Sequence, residues 1–226
     1  MIQKENTAKK GDFMSSAYYY LTDDEKDSVG WLGGNAPVWF DDKRDLVDEP
    51  GCHYGFYCTF QLKETGRSLS IFLPESFDRL LDDNICPNCS IKVFAHPTQE
   101  ESANDHFRLM PEKPKAGERL TGYQKRFDYS RPVLKKVFIA PCTEKPEDDA
   151  AFLTVGDDIF YVQDKDFYRE ALIKDGYEIW GYINEEGYYP LARETELIHG
   201  NMPLSFGAMY LYKKGGEIIA GYWQYS

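Results

Sequence analysis

The stretch Tyr54-Gly55-Phe56-Tyr57-Cys58-Thr59-Phe60-Gln61-Leu62-Lys63, followed after Glu64-Thr65-Gly66-Arg67 by Ser68-Leu69-Ser70-Ile71-Phe72-Leu73, decides the fold class. Phe56, Cys58, Phe60 and Leu62 alternate onto one face of the first run, and Tyr57, Thr59 and Gln61 onto the other. Leu69, Ile71 and Leu73 repeat the pattern in the second run. Strict alternation is the signature of a strand with one face in a core, because successive side chains point to opposite sides of a sheet. Two such runs joined by a short glycine-bearing loop predict an antiparallel hairpin.

The same style recurs along the chain. Tyr18-Tyr19-Tyr20-Leu21, 90–96 (SIKVFAH) and 177–183 (YEIWGYI) read as strands, and Ile159 to Gln163 as strand-like. Leu204 to Tyr212 and Glu217 to Tyr225 read as a closing hairpin around Lys213-Lys214-Gly215-Gly216, where paired glycines suit a tight turn. Val133 to Ala140 fits either a strand or a short helix. Two helices are expected: Ser76 to Leu81 after Pro74, and Asp166 to Lys174 with Phe167, Leu172 and Ile173 as apolar contacts and Gly176 past its end. His96 to Arg131 is charged and proline-bearing, and predicts a long exposed excursion with one short strand, His106 to Met110. The sum is an α+β fold, mainly antiparallel sheet built from hairpins with a few short helices. Residues 1–16 read as a polar lead-in and 17–226 as one domain, with the acidic segment 143–150 as the candidate sub-domain boundary. An echo between 58–66 (CTFQLKETG) and 208–216 (AMYLYKKGG) is compatible with two similar halves.

Composition narrows the partners. The 226 residues include 38 acids against 26 bases, a formal net charge of -12. Nucleic acid and anionic membranes are poor partners for such a chain, because both need clustered Lys and Arg. The acidity serves solubility, or it steers a basic protein partner. Met1 to Asp12 is polar and lacks the apolar core of a secretory signal, and no apolar run reaches spanning length, so a cytoplasmic location is expected.

Chemistry-bearing motifs are scarce. Cys86-Pro87-Asn88-Cys89 is a C-x-x-C, but it precedes a strand rather than opening a helix, which is the wrong context for a redox pair. Cys52 and Cys58, with His53 or His96, could complete a zinc site; the alternative is a plain Pro-Asn turn, with Cys58 an ordinary core thiol. No metal or other cofactor is assigned. His53, His96, His106 and His199 form no recognisable helical pair. The acid pairs Asp41-Asp42, Asp82-Asp83, Asp148-Asp149 and Asp157-Asp158 read as solvated loops, so no residue is assigned as catalytic.

One local segment is not generic: Gly30-Trp31-Leu32-Gly33-Gly34-Asn35-Ala36-Pro37-Val38-Trp39, followed by Asp41-Asp42. Glycines that reach positive φ and a proline that fixes its own φ make a rigid turn presenting two tryptophans. The pair either pins the loop to the core or marks a binding site. The binding candidates are Trp31, Asn35, Trp39, Asp41 and Asp42.

Here the chain resembles the bacterial YwqG-like domain family. Gly33-Gly34-Asn35-Ala36-Pro37 corresponds to that family's Gly-Gly-x-Pro segment, with one residue more before the proline. Phe60-Gln61-Leu62 and Leu69-Ser70-Ile71-Phe72 correspond to the strands that follow. The resemblance implies a β-rich fold and proteins often found near toxin–immunity systems; it implies no catalytic residues. Two functions follow as expectations. The first is a protein-binding module, such as an intracellular immunity or inhibitor protein for a basic partner. The second is a carbohydrate- or small-molecule-binding domain or hydrolase with an aromatic cleft near Trp31 and Trp39.

Overall fold

A computed structural model describes residues 16–74, 90–111, 113, 116–117, 119, 129–145, 151–163, 167–188, 191, 203–204 and 206–224. Among these residues ten strands carry the fold: β1 (Ala17–Thr22), β2 (Gly30–Leu32), β3 (Tyr54–Gln61), β4 (Arg67–Pro74), β5 (Lys92–Pro97), β6 (Val137–Cys142), β7 (Leu153–Val155), β8 (Glu178–Asn184), β9 (Ala208–Lys214) and β10 (Glu217–Gln224). They form one antiparallel sheet in the order β10-β9-β8-β7-β1-β6-β2-β3-β4-β5. Among the described residues two short helices are added, α1 (Arg44–Val47) and α2 (Phe167–Lys174). The β-rich α+β architecture expected from the alternation is therefore present. No helix among the described residues is long and apolar enough to cross a membrane.

The sheet curls until its edge strands β5 and β10 come back into contact. Its inner face encloses the main core, including Leu21, Leu32, Phe60, Leu69, Ile71, Ile139, Leu153, Ile183 and Leu211. The decisive hairpin is β3–β4, but its alternation is broken by a bulge between Phe56 and Cys58. An extra residue in one strand lets the chain change phase. Phe56 thus leaves the face expected for it and joins an outer cluster with Phe40 and Phe72, while Tyr57 and Cys58 both enter the inner core.

Several other expectations need correction. Val137–Cys142 is a strand, which settles the helix-or-strand alternative, and it pairs with both β1 and β2. His106–Met110 is not a strand: only an isolated bridge joins Arg108 to Phe56. Phe107 and Leu109 from this segment are nonetheless buried, so it is held by side chains rather than by a ladder. Ile159–Gln163 is irregular, because its backbone is tied by side chains: Val162 N–H donates to Tyr210 Oη at 3.0 Å and Gln163 N–H to Gln224 Oε1 at 3.1 Å. In α2, Leu172 is buried but Ile173 is 54% exposed, since a single row of this helix meets the sheet. The expected helix at 76–81 and the pair Cys86/Cys89 lie outside the described residues.

The outer face of the sheet is roofed at both ends. Over β3–β5 lie residues 36–47 and Phe107, sealing the cluster of Phe40, Phe56 and Phe72. Over β8–β10 lie α2 and residues 159–162, sealing Leu172, Tyr182, Tyr210, Tyr212 and Tyr222. Between the roofs, no comparable cluster covers the outer face of β2, β6 and β1 among the described residues. The roofs thereby leave a valley in the middle of the sheet.

Candidate functional site

Cross-strand register sets the valley floor. Thr22 faces Phe138, Phe138 faces Trp31, and Trp31 faces Thr59 across four adjacent strands. Gly30 allows β2 to lie close against β3: a Cβ at this position would overlap the Thr59 carbonyl. The result is a cleft of about 410 Å³, floored by Trp31, Phe138, Thr59 and Gln61 and bordered by Ser68, Thr98, Gln99, Glu100, Glu101, Glu25 and Lys136.

The turn after β2 holds Trp31 in place. Gly33 and Gly34 have φ of 65° and 71°, the left-handed region that glycine alone enters without strain. Asn35 then acts as a hub. Its N–H donates to Glu101 Oε1 at 2.7 Å and its Nδ2 to the Ser102 carbonyl at 3.0 Å. Its Oδ1 accepts from Arg108 Nε and Nη2 at 3.0 and 2.7 Å. Its carbonyl accepts the Trp31 indole N–H at 3.0 Å. All the polar capacity of Asn35 named here is spent on the protein itself, so it positions Trp31 and does not face a ligand.

Gly34→Ala tests this turn. The added Cβ would meet Glu101 Oε1 at 2.6 Å on a backbone of positive φ. The expected cost is about 1–3 kcal/mol, measured by urea unfolding, with Gly51→Ala (φ 81°, nothing within 4 Å) as the control for φ alone.

The remaining sequence candidates lie elsewhere. Trp39 belongs to the roof over β5: its ring stacks on His96 with centroids 5.3 Å apart, and Lys43 Nζ sits 4.6 Å above it. Asp41 accepts from Ser102 Oγ at 2.6 Å, which ties the roof to the 99–102 segment. Asp42 is exposed and pairs locally with Lys43, at 2.6 Å. Trp31 is therefore the one member of the five that lines the cleft.

Lys136, Phe138, Glu101 and Glu25 complete the site without having been singled out by sequence. Phe138 could have been read from the alternation of β6. Nothing local to Glu101 marks it, because its role comes from a contact 66 residues away. Lys136 Nζ bonds Glu101 Oε2 at 2.7 Å and lies 4.7 Å from the Phe138 ring centre and 5.4 Å from that of Trp31. A cation held by a carboxylate above two aromatic faces is a favourable arrangement, since the ring quadrupole attracts positive charge. Glu25 and Glu100 stand exposed on the rim, and Asp23, Asp24 and Asp27 crowd the loop that carries Glu25.

A second, smaller pocket of about 180 Å³ lies farther along β1, lined by Tyr18, Lys145, Thr154, Asp158, Phe160 and Tyr182. Asp158 Oδ2 accepts from Tyr18 Oη and Lys145 Nζ, both at 2.6 Å. The hydrogen bond from Lys145 holds the Asp158 carboxyl below its usual range, and the bond to Asp158 pushes the Tyr18 phenol up.

One pair imitates a catalytic constellation. Ser70 Oγ lies 2.7 Å from His96 Nε2, and His96 Nδ1 lies 2.8 Å from the Pro97 carbonyl. A carbonyl only accepts, so Nδ1 carries the proton and Nε2 faces Ser70. Ser70 and His96 have no exposed surface, however, and Thr59 Oγ1 closes Ser70 off at 2.9 Å. Burial also lowers the pKa of His96. The network is a polar pin among β3, β4 and β5, because no substrate carbonyl can reach the hydroxyl. Cys58 is likewise sealed in the core, where burial pushes its thiol well up, and no group of three metal-ligating side chains occurs among the described residues. No protein-family model, curated protein or solved structure matches this chain.

Proposed function

We propose that this protein is a binding module and that the Trp31 cleft receives cationic side chains of a basic protein partner. The observation that carries the reading is the pairing of Trp31 and Phe138 with Glu101 around the chain's own Lys136. That arrangement has the chemistry a partner's lysine or arginine would seek, and Glu25 and Glu100 extend it to the rim. The net charge of -12 would accelerate such an encounter over longer range. An inhibitor or immunity protein for a basic toxin domain is the biological form this takes, in keeping with the resemblance at the Gly33-Gly34 segment.

Calorimetric titration with poly-lysine and with a panel of small basic proteins tests it. Binding at low salt should weaken at least about tenfold in Trp31→Ala, as truncation of an aromatic hot spot does. Affinity indifferent to Trp31 would refute the site, and no binding at all would refute the function.

The neutral lining of Thr59, Gln61, Ser68, Thr98 and Gln99 beside Trp31 favours a second reading, a carbohydrate ligand. Like the cationic reading, it requires Lys136 to vacate the Trp31 face. Oligosaccharide binding unaffected by salt would replace the first reading with this one.

A further inference from the structure

We infer that the cleft and the smaller pocket are the two ends of one track, and that the track takes an extended basic segment with cations at positions i and i+4 and an apolar residue at i+2. This rests on the basic-partner reading above.

The track follows β1. Thr22 lies beside Phe138 in the cleft row, and Tyr18 lines the smaller pocket. Tyr18, Tyr20 and Thr22 share the outer face, because alternate residues of a strand do. At roughly 3.4 Å per residue, the four steps from Thr22 to Tyr18 span about 14 Å. Tyr20 stands midway and is 43% exposed, and Phe160 at the far pocket is 44% exposed. Large aromatics this open are uncommon on a chain that buries most of its rings; Tyr20 lies on the strip itself, and Phe160 belongs to the 159–162 segment that edges it at the far pocket.

The charges at the two ends match. At the cleft, Glu101 holds Lys136 beside Phe138; at the pocket, Asp158 holds Lys145 beside Tyr18. Exposed acids extend each end: Glu25 and Glu100 at the first, Asp157 at the second. The lysines neutralise Glu101 and Asp158, so a ligand carrying two cations would displace them from these carboxylates, drawn by the exposed acids at each end. An extended peptide laid over β1 has the same rise per residue. Its side chains at i, i+2 and i+4 therefore fall over Thr22, Tyr20 and Tyr18; from Thr22 a long cationic side chain crosses Phe138 to reach Glu101, and at Tyr18 it meets Asp158. The two roofs bound the strip on either side and favour a single narrow chain over a folded surface.

Fluorescence polarisation on short labelled peptides tests this. One peptide carries Arg-x-Leu-x-Arg in a neutral background; its control has the same composition with the arginines adjacent. The spaced peptide should bind at least about tenfold tighter, the difference one well-placed charged contact makes. Tyr20→Ser and Phe160→Ser each remove an exposed ring and should leave the melting temperature unchanged. Each should reduce that preference about fivefold, while Trp31-dependent binding of poly-lysine persists. Equal affinity for the two peptides, or a preference indifferent to Tyr20, overturns the track and leaves the basic-partner reading standing. Failure of both peptides and of poly-lysine removes both. Length-dependent oligosaccharide binding that requires Tyr20 overturns the peptide occupant.

Discussion

Phe40→Ala should lower the stability of the protein by about 3–5 kcal/mol, read as the urea midpoint at constant m-value. Phe40 has no exposed surface. Its ring packs edge-on against Phe72 at 4.7 Å, His96 at 5.0 Å, Phe94 at 5.8 Å and Phe107 at 6.4 Å, with Trp39 at 4.8 Å on its outer side. Three of these partners come from strands β4 and β5, and Phe107 and Trp39 come from the segments that cover them. Removing the ring takes out the central contact among those that join roof to sheet, and the surrounding rings cannot all collapse inward because β4 and β5 fix their spacing. The same variant separates the roles of the two tryptophans. Trp39 should redden in emission as it loses its seat on His96, whereas ligand binding at Trp31 should persist, because Trp31 is held by the Asn35 hub. A loss below about 1 kcal/mol would mean that the roof is anchored elsewhere.

What the sequence made legible is what obeys a period. The β3–β4 and β9–β10 hairpins were readable because Leu69, Ile71 and Leu73, or Met209 and Leu211, repeat at two residues, and both hairpins form. The fate of Phe56 was not readable, since the bulge at Tyr57 is a local change of phase that leaves the residue types unaltered. Phe107 and Leu109 alternate at two residues and so read as a strand, but that alternation reports their burial, not a ladder: the segment is held by its side chains and makes only an isolated bridge at Arg108. Trp31 was legible because a tryptophan beside Gly33-Gly34 is locally unusual. Its companions Phe138 and Lys136 enter only through the pairing of β2 with β6, which local pattern does not encode. Trp39 shows the converse, a conspicuous residue in the same motif that is spent on packing. A site assembled from strands distant in the chain is legible only residue by residue until the strand order is known.

Glu185 should make the protein lose stability as pH rises from 6 to 8.5, by about 2–3 kcal/mol. This carboxyl has no exposed surface, and burial pushes it up to about 8 from an ordinary 4.5, against the opposing pull of its hydrogen bonds. Oε1 accepts from Leu204 N–H at 2.8 Å and lies 3.5 Å from Tyr57 Oη, and Oε2 accepts from Phe206 N–H at 3.1 Å. The group is thus protonated in the folded chain over a range where the unfolded chain is ionised. The folded state binds the extra proton, so the contribution to stability is full below pH 4.5 and is lost as pH rises through 8. Asp48 and Asp158, whose carboxyls are held low, act in the opposite sense, but their contribution is complete well below pH 6. His96, held low by burial, adds stability with rising pH near 6.5 and partly masks the fall there. Glu185→Gln isolates the term, since all the other groups are shared. The variant cannot ionise, so its stability should be nearly flat from pH 7 to 8.5 while that of the wild type declines. It keeps one acceptor oxygen and must turn an amide N–H₂ toward an N–H donor, so at pH 6 it should be the less stable of the two by about 1–3 kcal/mol. The two curves should therefore converge as pH rises. Parallel curves would mean that Glu185 is already ionised in the folded protein at pH 6. The two backbone donors at Leu204 and Phe206 would then outweigh its burial.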